Sequence, residues 1–252
     1  MVFAALLLGL AVGSFLNVVV SRLPAQRSLV RPRSACPACG AAIAWHDNIP
    51  ILSFLMLRAR CRACGIRISW RYPLLEAVTG ALFAALAVVF GPSVDFVIAA
   101  AFLAALLAIT VIDIDHQIIP NAITYPGIVA GLLASLLSPR LSWLDAVLGV
   151  VVGGGIFLVI AEGSLRVMGQ EGMGGGDVKL GAMLGAFLGW KAMLVTTLLA
   201  VVGGGIVAGV LIATGLKGRK DPIPFGPFLT AAGAIGFFWG ETLVRWYLAA
   251  FL

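Results

Sequence analysis

The chain has 252 residues, 61% hydrophobic and only 11% charged, with a mean hydropathy of +1.08. That is too apolar for a soluble domain and fits an all-α polytopic membrane protein. The net charge of +6 is uneven: Arg22, Arg27, Arg31, Arg33, Arg58, Arg60, Arg62, Arg67 and Arg71 fall in one segment. On such a chain the cluster marks the cytoplasmic side and lies against anionic headgroups of the bilayer, so no nucleic-acid partner is expected.

Residues 2–20 read as a first membrane helix, stopped by Arg22. The run lacks a basic n-region and a clear small-residue cleavage site, so it is expected to stay as a span. Residues 22–71 form a polar loop of about 50 residues, too few to hold a core without a staple. Further spans follow at 73–90, closed by Gly91-Pro92; at 94–112, ending at Asp113; at 122–137, closed by Ser138-Pro139-Arg140; and at 145–161. A Gly-rich loop at 162–176 comes next.

Residues 180–216 are apolar but for Lys191. As one helix they would reach about 55 Å, nearly two hydrocarbon thicknesses. A turn near Gly189-Trp190-Lys191 resolves this, with Trp190 at an interface, and leaves a short sixth helix that is tilted or partly sunk. The seventh span ends at Lys217-Gly218-Arg219-Lys220, and residues 223–252 make an eighth.

Charge tests the count. With the Arg-rich loop inside, Arg166, Lys179, Lys217, Arg219 and Lys220 also fall inside, and only Arg140, Lys191 and Arg245 fall outside. That bias favours eight transmembrane helices with the N-terminus outside, and puts Asp113 and Asp177 at the cytoplasmic face. The expected division is a first transmembrane helix at 1–21, a cytoplasmic loop domain at 22–71 and a transmembrane core at 72–252. The string Val151-Val152-Gly153-Gly154-Gly155-Ile156 recurs as Val201-Val202-Gly203-Gly204-Gly205-Ile206. We read it as close helix packing through small residues and not as a duplicated domain.

All four cysteines lie in the loop, as Cys36-Pro37-Ala38-Cys39-Gly40 and Cys61-Arg62-Ala63-Cys64-Gly65. Two C-x-x-C-G knuckles suit tetrahedral zinc, each offering two thiolates on a tight turn that the trailing glycine lets fold back. A reducing compartment disfavours disulfides, and zinc supplies the stability the loop lacks. Four thiolates leave no open position, so a structural zinc is expected ahead of a catalytic one, with a disulfide or reduced-thiol cluster as the rival reading. His46 reads as a surface residue.

Asp113 and Asp115 follow the third span, and Asp177 follows Gly174-Gly175-Gly176. An intramembrane acid is costly and marks a functional site by default. An aspartic protease needs two carboxylates that share a proton, one acting as base on water while the other polarises the scissile carbonyl. Taken alone, the residues leave three readings open: catalysis, a proton relay in a coupled transporter, or capping and solvated helix ends. A membrane scaffold holding a partner through the zinc loop is a further alternative.

The chain resembles the bacterial type IV prepilin peptidases. The resemblance is carried by Gly13-Ser14-Phe15-Leu16-Asn17 with Arg22-Leu23-Pro24, the tetracysteine loop and Arg71-Tyr72-Pro73-Leu74-Leu75-Glu76. It continues through Ile112-Asp113 to Pro120-Asn121, then Gly172-Met173-Gly174-Gly175-Gly176-Asp177-Val178-Lys179-Leu180, and Pro224-Phe225-Gly226-Pro227. It implies a GxGD-type aspartic protease of the inner membrane that cuts the basic leader of type IV pilus prepilins and type II secretion pseudopilins after a glycine. It implies catalytic Asp113, rather than Asp115, with Asp177. Gly174, Gly176 and Lys179 then belong to the active-site loop, and Glu76 reads either as a functional acid or as a buried interfacial one. It further implies methylation of the new N-terminus with S-adenosylmethionine, the tetracysteine loop being characteristic of members with both activities.

Overall fold

The computed structural model describes residues 1–168, 173–218 and 221–251. Gly172 of the glycine motif, Arg219 and Lys220 of the charge count, and Leu252 at the end of the last span lie outside the described residues. The fold is helical, with no strand among the described residues beyond two isolated bridges. Two compact units divide it, Met1–Ala108 and Ile109–Leu252.

The first unit holds α1 (Val2–Arg22), a 3-10 turn at Trp45–Asn48, α2 (Leu52–Met56), α3 (Arg71–Phe90) and the first part of α4 (Val94–His116). α1 and α3 pack antiparallel with contacts every fourth residue. A Cβ on Gly9 would strike Phe83 and Thr79, one on Gly13 would strike Glu76, and the Asn17 amide donates to the Tyr72 carbonyl at 3.2 Å. Small residues let the two backbones approach where no water drives helices together. Gly91 ends α3 at φ 61°, a backbone setting that favours glycine.

The second unit holds the end of α4, α5 (Asn121–Leu137), α6 (Trp143–Met168), α7 (Gly175–Ala213) and α8 (Gly226–Phe251). α6 and α7 share a glycine seam. A Cβ on Gly149 would run into the Gly185 carbonyl, and one on Gly153 into the Gly181 carbonyl. The repeated glycine string therefore splits. Gly153 and Gly154 of the first copy lie in this seam and Gly204 of the second meets Phe228 of α8, whereas Gly155, Gly203 and Gly205 face open space.

The expected turn inside the long apolar run is present. Gly189 sits at φ 74° and ψ 167°, outside helical geometry. Gly181 before it and Met193 after it both face Gly153, so the chain doubles back. In a straight helix those two residues would lie about 18 Å apart. The start of α6 clamps the turn: Trp190 Nε1 donates to Asp145 Oδ1 at 3.1 Å, and Ser142 Oγ donates to Asp145 Oδ2 at 2.6 Å.

α1, α3, α4, α6 and α7 are long and apolar enough to cross a membrane, and α5 is a shorter apolar helix. Several boundaries differ from expectation; α7, for one, already begins at Gly175, inside the expected Gly-rich loop. α4 runs on to His116, so Asp113 and Asp115 are helical, and α6 runs on to Met168, into the expected loop. Polar residues end a hydrophobic run without ending the backbone hydrogen bonding.

Candidate active site and metal centre

The helical setting of α4 separates its two acids. Residues two apart point to opposite sides of a helix. Asp113 is accordingly buried, at 5% exposure, while Asp115 and His116 are exposed. Gln117, at φ 53°, ends the helix by donating its N–H to the Asp113 carbonyl at 2.9 Å.

Asp177 sits in the first turn of α7, its N–H donated to the Gly174 carbonyl at 3.0 Å. Gly176 has to be small, because a Cβ there would lie 2.9 Å from the Cβ of Ile119. The segment after α4 thereby closes against the first turn of α7. Between them is a cavity of about 350 Å³ lined by Asp113, Asp177, Gly174, Gly176, Gln117 and Lys179, among others. Two carboxylates on one cavity wall can activate a water and polarise a carbonyl. Lys179 braces the rim: its Nζ donates to Asn121 Oδ1 at 2.8 Å and lies 5.7 Å from the centre of the Tyr125 ring.

The two cysteine knuckles are built alike. In the first, the Gly40 N–H donates to the Cys36 carbonyl and the Cys36 N–H to Ala41; in the second, Gly65 donates to Cys61 and Cys61 to Ile66. Gly40 and Gly65 adopt φ 71° and φ 70°, so the trailing glycines do fold the backbone back. The four thiols are free of disulfides, and their Sγ atoms lie within 4.8 Å of one another, with Cys36 and Cys64 3.9 Å apart. Zinc–thiolate bonds of about 2.3 Å in a tetrahedron set sulfurs about 3.8 Å apart, so the donor set fits that ion. The N–H groups of Cys39 and Ala38 pull the Cys36 thiol down to about 6. The Ile66 N–H draws Cys64 the same way, but burial and the neighbouring sulfurs outweigh it and push that thiol up to about 11. His46 is no part of the cluster, its side chain being half exposed beside Asp47.

Residues 7–90 match the Bacterial Peptidase A24 N-terminal domain, and residues 100–209 match the Type IV leader peptidase family. A prepilin leader peptidase/N-methyltransferase of Aeromonas hydrophila is 39% identical over 98% of this chain and 93% of its own length. The chain belongs to the type IV leader peptidase family. A protein of the same description from Pseudomonas aeruginosa is 38% identical over 98% of this chain and 93% of its own length. One from Myxococcus xanthus is 46% identical over 84% of this chain, a match spanning 64% of that relative. Comparison with solved structures gives no match.

In this family member Asp113, Asp177, Gly174, Gly176 and Lys179 come together around one cavity. Glu76 belongs to the other unit. It is buried on α3 and accepts the Ile51 N–H at 2.8 Å, tying the turn before α2 to that helix; Ile51 itself is at φ 60°. One residue escaped the sequence reading as a site residue. The Gly226 N–H donates to Asp113 Oδ2 at 3.0 Å. The string Pro224-Phe225-Gly226-Pro227 was the available signal, but a backbone donor leaves no side-chain chemistry to read.

Proposed function

We propose that this chain is a membrane-embedded aspartic endopeptidase that removes the basic leader of type IV prepilins and pseudopilins and then methylates the new N-terminus. The shared cavity of Asp113 and Asp177 carries the reading. One carboxylate, ionised, takes a proton from water as that water attacks the scissile carbonyl. The other, protonated, donates to the carbonyl oxygen. Collapse of the tetrahedral adduct expels the amine of the mature pilin, protonated by the acid that had served as base. Gly174 leaves the wall free of a side chain for an extended substrate backbone, and Gly176 lets Ile119 close against the same wall. Lys179, held by Asn121, shapes the rim.

Membership of this family disfavours both a proton-coupled transporter and a zinc-loop scaffold. The chain is an integral inner-membrane protein, with the active site and the tetracysteine loop assigned to the cytoplasmic side on the charge bias. We assign it eight spans, the reversal at Gly189 supporting the count. Cys36, Cys39, Cys61 and Cys64 would hold a structural zinc, which would knit the two knuckles into one unit. S-adenosylmethionine is the assigned methyl donor, and no residue is assigned to hold it.

The test is cleavage of a detergent-solubilised prepilin. Asp113→Asn and Asp177→Asn should each abolish cleavage and still transfer labelled methyl groups to pre-cleaved pilin. Full cleavage by either variant would refute the pair.

A further inference from the structure

We infer that Gly226 is a positioning residue for peptide cleavage: its backbone N–H, with no side chain in the way, holds the Asp113 carboxylate in its working orientation. The inference rests on the reading of Asp113 and Asp177 as the catalytic pair.

α8 begins at Gly226, and the first N–H groups of a helix have no acceptor within it. Pro227 has no N–H to offer, and Phe228 and Leu229 donate back to the Phe225 carbonyl. The Gly226 N–H goes to Asp113 Oδ2 instead, at a buried site. A backbone donor cannot rotate away as a side-chain donor can. One oxygen of Asp113 is thereby fixed and the other is left for chemistry. The partial positive charge at the start of α8 favours a carboxylate there.

The position also excludes a side chain. A Cβ on residue 226 would lie 2.5 Å from Asp113 Oδ2 and 2.9 Å from its Cγ. Aspartate and backbone are fitted to each other, and a methyl group would turn the carboxylate out of place.

The crossing is braced on both sides. Thr110, one turn before Asp113, and Thr230, one turn into α8, have their hydroxyls 2.7 Å apart. The Phe225 ring packs on Phe157 of α6, with centroids 6.0 Å apart. α4, α6 and α8 together set where the donor stands.

The experiment compares the full chain with Asp113→Asn, Gly226→Ala and a variant carrying glycolic acid at position 226. The last replaces the N–H by an ester oxygen and adds no atom. Prepilin cleavage in mixed micelles gives kcat and KM separately, and methyl transfer to pre-cleaved pilin reports the fold. Gly226→Ala and the ester should each lower kcat about ten- to hundredfold, the scale of a hydrogen bond to a charged group, with KM and methyl transfer unchanged. A purely structural role would move methyl transfer and thermal stability together with kcat. Cleavage by Asp113→Asn would overturn the pair and this inference with it. An inactive Asp113→Asn beside wild-type kcat in both position-226 variants would overturn the positioning role alone. Should Gly226→Ala fail to fold, the ester variant decides, wild-type kcat refuting the role and a lowered kcat supporting it.

Discussion

Arg62 grips Asp47 with two parallel hydrogen bonds, from Nε at 2.7 Å and from Nη2 at 2.6 Å. The guanidinium holds the Asp47 carboxyl below the usual carboxylate range. The pair ties the second cysteine knuckle to the 3-10 turn at Trp45–Asn48, so Arg62 is a fastening of the loop and not a free charge. Arg62→Ala should speed proteolytic nicking between the knuckles while leaving the membrane helices at wild-type thermal stability. Arg58→Glu with Arg60→Glu tests something else. A basic leader should lie by the aspartates and not by these arginines, so this double variant should cleave normally. Lost cleavage with zinc still bound would relocate the leader to the knuckles.

Metal content gives a second test. The purified chain should carry one zinc, and Cys36→Ser or Cys64→Ser should remove it and expose the loop to protease, with helix content preserved. A chain that purifies without metal and keeps a protected loop would sink the zinc assignment.

Gly153 and Gly203, at equivalent places in the two glycine strings, should respond oppositely to the same change. Gly153→Ala drives a methyl into the Gly181 carbonyl and should cost about 1–3 kcal/mol. Gly203→Ala meets open space and should be neutral or stabilise by about 0.5–1 kcal/mol, the helical advantage of alanine. Unfolding in mixed micelles measures both, and equal effects would argue against the seam.

Lys179 and Asn121 should act as a unit. Lys179→Ala should lower cleavage about tenfold, as should Asn121→Ala, and the double variant should add little to either. Additive losses would mean that Lys179 works on the substrate independently of Asn121.

Much of this was legible in the chain for identifiable reasons. The cysteine spacing gave the knuckles because thiols and turn glycines at fixed intervals are written directly in the sequence. The turn at Gly189 was legible because no single helix of that length fits a bilayer. Asp113 was preferred to Asp115 through resemblance alone; that α4 buries the one and exposes the other could not be read from the sequence. Other features were out of reach. The ends of α4 and α6 overran the hydropathy signal, since hydropathy tracks lipid contact and not backbone hydrogen bonding. Identical glycine strings met different surroundings, which only the partner helix decides. The Gly226 contact joins a main-chain donor to an acid 113 positions away.

The reversal at Gly189 leaves Asp177 at the start of a segment, Gly175–Leu188, only about 21 Å long, against a hydrocarbon layer of about 30 Å. A rod that short, fastened at its far end by Trp190 and Asp145, stops below the opposite surface. On the proposed eight-span arrangement, the acid it carries stands inside the level of the membrane surface. For the proposed pair, water is then a reagent to be admitted, and its access to the cavity would join the shape of the substrate in setting the rate of cleavage.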